Sequence, residues 1–144
     1  SVDAVVSDFI SGATESLSPA NDDDHWDVVE GQGSLFHASY AGVTMGLIHG
    51  SQPDYIVLCH EPTRHHMRGL PDFKLPNLTQ CMEANLNAAR LTNPNVKCIG
   101  IAINTKAFSE EEADDFLKKT EAEMGLPTVD PVRSGVGRLV DALS

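Results

Sequence analysis

The sequence has few positive charges. Ten lysines and arginines stand against 21 aspartates and glutamates, which gives a formal net charge of −11 over 144 residues. Proteins that bind the phosphate backbone of nucleic acids neutralise it with a basic surface. We therefore expect no nucleic-acid partner. A small anionic ligand is compatible with this charge, because one or two local cations are enough to bind it.

Long apolar segments and paired cysteines are also missing. No apolar run approaches the roughly 20 residues that a membrane-spanning helix needs, and there is no recognisable signal peptide. Cys59, Cys81 and Cys98 include no Cys-x-x-Cys pair, and two of them lie in apolar, strand-like runs. Buried free thiols in a reducing compartment are the expected state. These absences predict a cytoplasmic protein without a membrane partner.

Several common site motifs are absent. There is no G-x-x-x-x-G-K-[ST] phosphate loop, no G-x-G-x-x-G after a strand and no G-x-S-x-G nucleophile elbow. The aspartate run at residues 22–24 lacks the spacing and terminal glutamate of a calcium loop. The histidines of residues 60–66 suggest zinc, but no H-x-x-x-H or cysteine pairing completes a tetrahedral set. No metal site is predicted.

What the chain does contain is a regular alternation of strand-like apolar runs and helical periodicity. Such alternation with short connections is typical of an α/β fold with a mostly parallel sheet and helices on both faces. The length fits a single domain over residues 1–144. Residues 70–76 carry two prolines and are predicted to be irregular. Strands are predicted over residues 4–10, 26–29, 54–59, 96–103 and 126–130, and helices over 11–17, 39–50, 78–91, 110–124 and 136–143.

The helix ends carry specific signals. Asn77 with Gln80, and Ser109 with Glu112, have the spacing of capping boxes at helix N-termini. Gly125 follows the last apolar residue of the fourth predicted helix and is a typical C-terminal stop.

Polar side chains follow each predicted strand. The carboxyl ends of parallel strands lie at one edge of a sheet, where α/β proteins bind their ligands. We therefore expect these side chains to converge. The arginines among them have a guanidinium fork that suits carboxylates and phosphates, although surface ion pairs are an alternative. The residues are Asp8, Glu30, His60 with Arg64, Asn104, and Asp130 with Arg133.

The stretch from Trp26 to His37 joins an apolar run to a Glu-Gly-Gln-Gly turn. Gly31 and Gly33 would allow the backbone to approach a ligand closely. Glu30 is a candidate general base or a ligand of metal-bound water, or else it satisfies nearby backbone N–H groups. His37 could move protons near neutral pH, or it could be a buried, hydrogen-bonded structural side chain.

These motifs together resemble one family. The chain looks like the C-terminal part of the DgcN-type P-loop family, long catalogued as a domain of unknown function and including D-glutamate N-acetyltransferases. The resemblance covers nearly all of the chain, and it is looser to dethiobiotin synthetase. The segments that carry it include Glu30–His37, Tyr40–Thr44, Leu58–Pro62, Asn104–Thr105 and Asp130–Arg133.

The resemblance implies a P-loop-NTPase-like, Rossmann-like three-layer sandwich that lacks its P-loop strand. Family members carry a small Rossmann-like domain and the P-loop upstream of the part that corresponds to Ser1. We therefore expect a C-terminal fragment whose partner is the missing N-terminal P-loop half of the same protein, and we expect a homo-oligomer.

The implied reaction moves an acetyl group from acetyl-CoA to the amino group of D-glutamate. It needs a base for the ammonium proton, cations for the carboxylates and donors for the oxyanion. Glu30 or His60 is the expected base, and His37 is a second candidate for the proton path. The expected cofactor-binding residues are Gly31, Gly33, Asn104 and Thr105, and the expected substrate-binding residues are Asp8, Arg64 and Arg133.

Two alternatives stay open. In an ATP-dependent carboxylase or ligase like dethiobiotin synthetase, Glu30 would organise magnesium and Asn104 would contact the nucleotide base of ATP. A non-enzymatic nucleotide-binding module would bind its ligand tightly without turnover.

Overall fold

The computed structural model describes residues 4–31 and 34–143. The chain divides into a first unit, Ser1–Asp54 with Ala84–Val96, and a second unit, Tyr55–Glu83 with Lys97–Ser144. None of the helices in the described ranges is long and apolar enough to cross a membrane. The helices are α1 (Ile10–Leu17), α2 (Ala41–Ser51), α3 (Leu78–Ala89), α4 (Glu110–Met124) and α5 (Gly137–Asp141), and the strands are β1 (Tyr55–His60), β2 (His66–Met67), β3 (Leu70–Lys74), β4 (Lys97–Ile103) and β5 (Thr128–Val129).

In the first unit, two glycines bring α2 close to α1. Gly46 and Gly50 are four residues apart and share one face of α2. A Cβ atom on Gly46 would lie 2.9 Å from the Cβ of Ile10, and one on Gly50 would lie 2.6 Å from the Cβ of Thr14. Ile10 and Thr14 are both buried. The two glycines therefore serve the contact of α2 with α1.

The two strands predicted in the first unit are not formed. Ser7–Phe9 make a single 3-10 turn that runs into α1 at Ile10. The buried contact of Ile10 with Gly46 favours helix there over an extended run. Residues 26–29 form no helix, strand or turn. A strand needs a neighbouring backbone to bond with, and the described part of this unit contains no other strand.

The second unit contains a parallel sheet with the strand order β1-β4-β5. Ile101 and Ile103 of β4 are fully buried and form the core with Leu58 of β1. The continuous apolar sequence of β4 is typical of a parallel strand covered on both faces. An α/β fold with a parallel sheet flanked by helices, as predicted, is therefore present.

The cysteines are free thiols, but their burial differs from the prediction. Cys98 packs against the core, and burial raises the pKa of its thiol. Cys59 is exposed. It shares one face of β1 with Val57, which is also exposed, because alternate residues of a strand point the same way.

Strands β2 and β3 form a hairpin. This differs from the irregular structure predicted for residues 70–76 from their two prolines. β2 and β3 pair antiparallel. Gly69 takes a φ of +76° between them, a conformation that glycine adopts without strain. Pro71 has no N–H to donate, which a two-stranded hairpin tolerates because each strand has an open edge. Met67 is the buried side chain of β2.

The two predicted capping boxes and the stop predicted at Gly125 are confirmed, whereas α2 continues past the predicted end at residue 50 and ends at Ser51. The Gln80 N–H donates to Asn77 Oδ1 at 2.8 Å, and the Asn77 N–H donates to Gln80 Oε1 at 3.2 Å. Ser109 and Glu112 form the second reciprocal capping box. Gly125 ends α4 in the left-handed conformation with a φ of 65°.

We predict that Gly100→Ala destabilises the chain. An added Cβ would lie 2.7 Å from the Pro127 carbonyl oxygen and would also meet the side chain of Leu139. Overpacking of this kind lowers the free energy of unfolding by about 1–3 kcal/mol. Urea denaturation followed by circular dichroism measures it. Gly137→Ala is the matched control, because no atom lies within 4 Å of its added Cβ. Equal losses in the two variants would contradict the prediction.

Candidate active site

The carboxyl ends of the parallel strands lie at one edge of the sheet in the second unit. His60 ends β1 in register with Ile103, the last residue of β4. The Asn104 N–H donates to the carbonyl oxygen of His60 at 2.9 Å, so the chain stays paired one residue beyond β4. Asp130 follows Val129, the last residue of β5. Three of the five predicted strand ends are therefore brought together.

The imidazole of His60 is half-buried at this edge. Partial burial lowers its pKa below 6.5, and the positive charge of Arg64 acts in the same direction, while Glu61 opposes both. The ring is therefore neutral near pH 7 and can accept a proton. In the described part of the chain, neither ring nitrogen has a hydrogen-bond partner.

Asn104 is exposed one residue beyond the end of β4. Its Oδ1 accepts a hydrogen bond from the Lys106 N–H at 3.1 Å, which orders the turn after β4. The amide nitrogen donates to no group in the ranges that the structure describes, so it is available to a ligand. The structure therefore leaves Asn104 compatible with the cofactor contact predicted for it.

The side chains of Thr105 and Asp130 are hydrogen-bonded to each other. Thr105 is fully buried, its N–H donates to Asp130 Oδ2 at 3.0 Å, and its hydroxyl donates to the same oxygen. The N–H groups of Val132 and Arg133 donate to Asp130 Oδ1 at 2.9 and 3.2 Å. The cofactor contact predicted for Thr105 would have to break these bonds.

The carboxylate of Asp130 thus joins the turn after β4 to the turn after β5. Burial by itself raises its pKa, but the hydrogen bonds from Thr105, Arg133 and Val132 outweigh burial and lower the pKa below 3.8. No separate role was predicted for Asp130 beyond its place at a strand end. The signal available in the sequence was an aspartate at the start of a turn, where its side chain accepts backbone N–H bonds.

Arg133 uses its guanidinium to hold the same turns. Nη2 donates to the carbonyl oxygens of Phe108 at 2.7 Å and Thr105 at 3.3 Å, and Nε lies 3.8 Å from Asp130 Oδ2. Carbonyl oxygens and a carboxylate occupy much of the fork that was predicted to clamp a substrate. A substrate anion would have to share or displace these contacts.

Arg64 is engaged in a local ion pair. Its Nη2 lies 3.1 Å from Glu61 Oε2. The hydroxyl of Thr63 donates to the other carboxylate oxygen, and this bond together with the Arg64 charge lowers the pKa of Glu61. The surface ion pair considered as an alternative is therefore the geometry found. Both side chains are partly exposed, so a ligand carboxylate could exchange with Glu61.

The other predicted residues lie in the first unit. Glu30 is exposed and has no partner in the described residues. Gly31 has open space around it, and Gly33 lies outside the described residues. Asp8 sits in the exposed 3-10 turn before α1, so the strand-end position on which its substrate role was predicted is wrong.

His37 is buried in the turn that leads into α2. Its Nδ1 accepts the Ser39 N–H at 3.1 Å, and its ring lies 4.3 Å from that of Tyr40 between centroids. An accepting Nδ1 places the proton of the neutral ring on Nε2. This is the geometry of the structural alternative, and the proton-path role stays a prediction.

The edge of the sheet therefore offers a ligand two groups. The neutral imidazole of His60 can take a proton, and the amide of Asn104 can donate a hydrogen bond. Within residues 4–31 and 34–143, no three His, Cys, Asp or Glu side chains are grouped so that they could hold a metal ion. The arrangement is suited to proton transfer next to a bound polar substrate.

We predict that Asp130→Asn lowers the free energy of unfolding at pH 7 by about 1–3 kcal/mol, because an amide accepts these hydrogen bonds more weakly and one of its ends cannot accept at all. The Asp130 pKa is lowered on folding. Its contribution is therefore complete above pH 3.8 and is lost as the pH falls through the folded-state pKa. Urea denaturation between pH 7 and pH 3 should show the difference between parent and variant shrinking below pH 3.8.

Asp72→Asn is the control for this prediction. Asp72 is exposed on β3 and has no hydrogen-bond partner in the described part of the chain. Its replacement should change the free energy of unfolding by less than about 0.5 kcal/mol. An Asp130→Asn variant as stable as Asp72→Asn would refute the joining role of Asp130.

Two relatives with assigned names are similar to almost the whole chain. A D-glutamate N-acetyltransferase of Tritonibacter scottomollicae is 58% identical over 143 residues, which are 99% of this chain and 43% of the relative. A D-glutamate N-acetyltransferase of a Pseudoalteromonas species is 49% identical over 139 residues, which are 96% of this chain and 42% of the relative. The chain thus spans less than half the length of these relatives.

A solved structure and a family description agree on the fold. The crystal structure of a DUF1611 family protein from Anabaena variabilis ATCC 29413, at 2.30 Å resolution, matches with a TM-score of 0.88 and 36% identity. The match covers 99% of this chain and 42% of that one. Residues 1–140 match the P-loop domain described as a domain of unknown function, DUF1611_C. The P-loop-type α/β fold predicted from the sequence is thereby confirmed, and the chain belongs to the DUF1611 family.

Proposed function

We propose that the chain is part of an N-acetyltransferase that moves an acetyl group from acetyl-CoA to the amino group of D-glutamate. Two relatives that bear the name D-glutamate N-acetyltransferase, at 58% and 49% identity, support this proposal. Because the chain spans less than half of their length, the activity is proposed for the whole protein. The acetyl donor is proposed from the chemistry of the transfer.

The observation that carries the proposal is the neutral, half-buried imidazole of His60 at the end of β1. An amine is nucleophilic only after its ammonium form loses a proton, and a base whose pKa lies just below the working pH can take it. His60 accepts that proton. The free amine attacks the thioester carbonyl, so that a C–N bond forms and the C–S bond breaks. His60 releases the ammonium proton to solvent, and the second proton, which the nitrogen loses as the tetrahedral intermediate collapses, passes through His60 to the departing thiolate.

Charge and hydrogen bonding near His60 suit the rest of the reaction. Asn104 donates a hydrogen bond from its amide to the carbonyl oxygen that becomes negative in the transition state, or to the donor molecule. Arg64 exchanges its partner Glu61 for a carboxylate of the substrate, since both form bidentate-capable pairs with a guanidinium. Arg133 supports the site indirectly through the turns that it bonds.

Phosphate binding is assigned to another part of the protein. The chain has no phosphate-loop motif. We place the phosphates of the donor on the segment that the longer relatives have and this chain does not span. Glu30, Gly31 and Gly33 stay candidates for the facing side of that ligand.

We predict that His60→Gln in the full-length protein lowers kcat/KM for acetyl transfer by about 10²–10⁴-fold, which is the usual contribution of a general base. In the parent, kcat/KM should fall as the pH drops through a pKa below 6.5, because protonated His60 cannot accept a proton. That inflection should be absent in the variant. Thiol release from acetyl-CoA with D-glutamate as acceptor, followed between pH 5 and pH 8, measures both effects.

His65→Gln is the matched control, since His65 is exposed five residues away and has no assigned role. It should leave the rate and the inflection unchanged. A His60→Gln enzyme with normal turnover would remove His60 from the mechanism. Turnover that requires ATP and magnesium, without thiol release from acetyl-CoA, would instead support the ligase alternative.

A further inference from the structure

The turn that follows β1 brings a glutamate and an arginine together. The Arg64 N–H donates to the carbonyl oxygen of Glu61 at 3.3 Å, which closes a four-residue turn. Pro62 suits the second position of such a turn, because its ring fixes φ near the required value. The first and fourth residues of the turn lie close together, so the side chains of Glu61 and Arg64 meet directly after His60, the last residue of β1.

The two oxygens of the Glu61 carboxylate have different partners. Oε2 lies 3.1 Å from Arg64 Nη2, whereas Oε1 accepts a hydrogen bond from the hydroxyl of Thr63. The bond from Thr63 contributes most to lowering the pKa of Glu61, so the carboxylate is negatively charged near pH 7. Because Thr63 holds Oε1, Glu61 contacts Arg64 through its other oxygen. The contact is therefore weaker than a bidentate pair, in which two parallel N–H···O bonds join a guanidinium to a carboxylate.

Another arginine–glutamate pair of the same unit shows the bidentate arrangement. Nη1 and Nη2 of Arg138 donate to the two carboxylate oxygens of Glu121 at 2.8 and 2.7 Å. Both oxygens of Glu121 are bonded to the guanidinium, whereas one oxygen of Glu61 is bonded to Thr63. Glu61 therefore leaves more of the bonding capacity of its arginine unused than Glu121 does.

A ligand can reach the unused donors of Arg64. The side chains of Arg64 and Glu61 are 49% and 32% exposed. The Arg64 side chain makes no other hydrogen bond or ion pair among residues 4–31 and 34–143. A guanidinium has five N–H donors in a planar fork, which matches two carboxylate oxygens at once. A ligand carboxylate can therefore form a bidentate pair with Arg64 in exchange for the single contact of Glu61.

We propose that Glu61 and Thr63 set the affinity of Arg64 for the carboxylate of the substrate. Glu61 competes with the substrate for the guanidinium, and Thr63 limits this competition by holding one oxygen of Glu61. When the substrate binds, Glu61 keeps its bond to Thr63 and loses its contact with Arg64. Glu61 and Thr63 are positioning residues, because they act through Arg64. The inference rests on the proposed function, which supplies D-glutamate as the carboxylate ligand.

Opposite changes in affinity test the proposal in the full-length protein. Glu61→Gln removes the competing charge, so the Kd of D-glutamate should fall by about 2- to 5-fold, as expected for the loss of an exposed ion pair. Thr63→Val frees the second oxygen of Glu61 for Arg64, so the Kd should rise by about 2- to 5-fold. The double variant should bind like Glu61→Gln, because Thr63 acts through Glu61. Isothermal titration calorimetry with D-glutamate, without acetyl-CoA, measures each Kd.

Two further variants separate this role from a merely structural one. Thr63→Ser keeps the hydroxyl and should restore the Kd of the parent. Glu83→Gln removes the same charge from an exposed position of α3 and should leave the Kd unchanged. If Thr63→Val does not fold, Thr63→Ala takes its place. Changes of the same sign in Glu61→Gln and Thr63→Val, as expected if both residues only stabilise the turn, would overturn the proposal, and so would an unchanged Kd in both.

The same titrations distinguish this inference from the proposed function. Opposite changes in Kd without thiol release from acetyl-CoA would support the competition at Arg64 and would contradict acetyl transfer. Normal thiol release in the parent, with no opposite changes in Kd, would overturn the competition and leave acetyl transfer standing. A parent protein that does not bind D-glutamate would overturn both.

Discussion

The hydrogen bonds of one buried carboxylate organise the candidate site. Asp130 accepts bonds from Thr105, Val132 and Arg133, and thereby joins the turns that follow β4 and β5. Burying a charge is costly unless hydrogen bonds replace its hydration. Here four donors do so, and the lowered pKa of Asp130 reflects their combined effect. The turn after β4, which carries Asn104, is therefore held in place by the buried charge of Asp130. That charge is used in hydrogen bonds within the protein and does not bind a ligand.

The polar residues at the sheet edge fall into two groups, according to whether their polar groups are hydrogen-bonded within the protein. The first group is hydrogen-bonded to one another and to backbone carbonyl oxygens, and consists of Thr105, Asp130 and Arg133. Among the residues that the structure describes, the ring nitrogens of His60 and the amide nitrogen of Asn104 have no partner and can bond to a ligand. Arg64 lies between these cases, since its ion pair with Glu61 is exposed and exchangeable. Residue type alone cannot separate these groups, because an arginine that holds a turn and an arginine that binds a substrate have the same sequence signature.

The local features of the fold were predictable. Both capping boxes, the left-handed Gly125 and strand β4 follow from interactions within a few residues or from one continuous apolar run. The hairpin of β2 and β3 was not predicted, since its turn depends on Gly69 and Pro71 is tolerated in a strand only at an open edge. The strand predicted over residues 4–10 failed because packing on Gly46 favours helix at Ile10.

The sequence by itself determined the family resemblance, the α/β class and the polar residues at the ends of β1, β4 and β5. These depend on periodicity and on short motifs, which are properties of neighbouring residues. Only the tertiary structure decided which polar groups are free, because hydrogen bonds such as Thr105 to Asp130 join residues 25 positions apart. It also showed that the run ending in Glu30 has no strand beside it among residues 4–31 and 34–143. A strand forms only where another strand lies beside it to accept and donate its backbone hydrogen bonds. An apolar pattern in the sequence does not show whether such a neighbour exists.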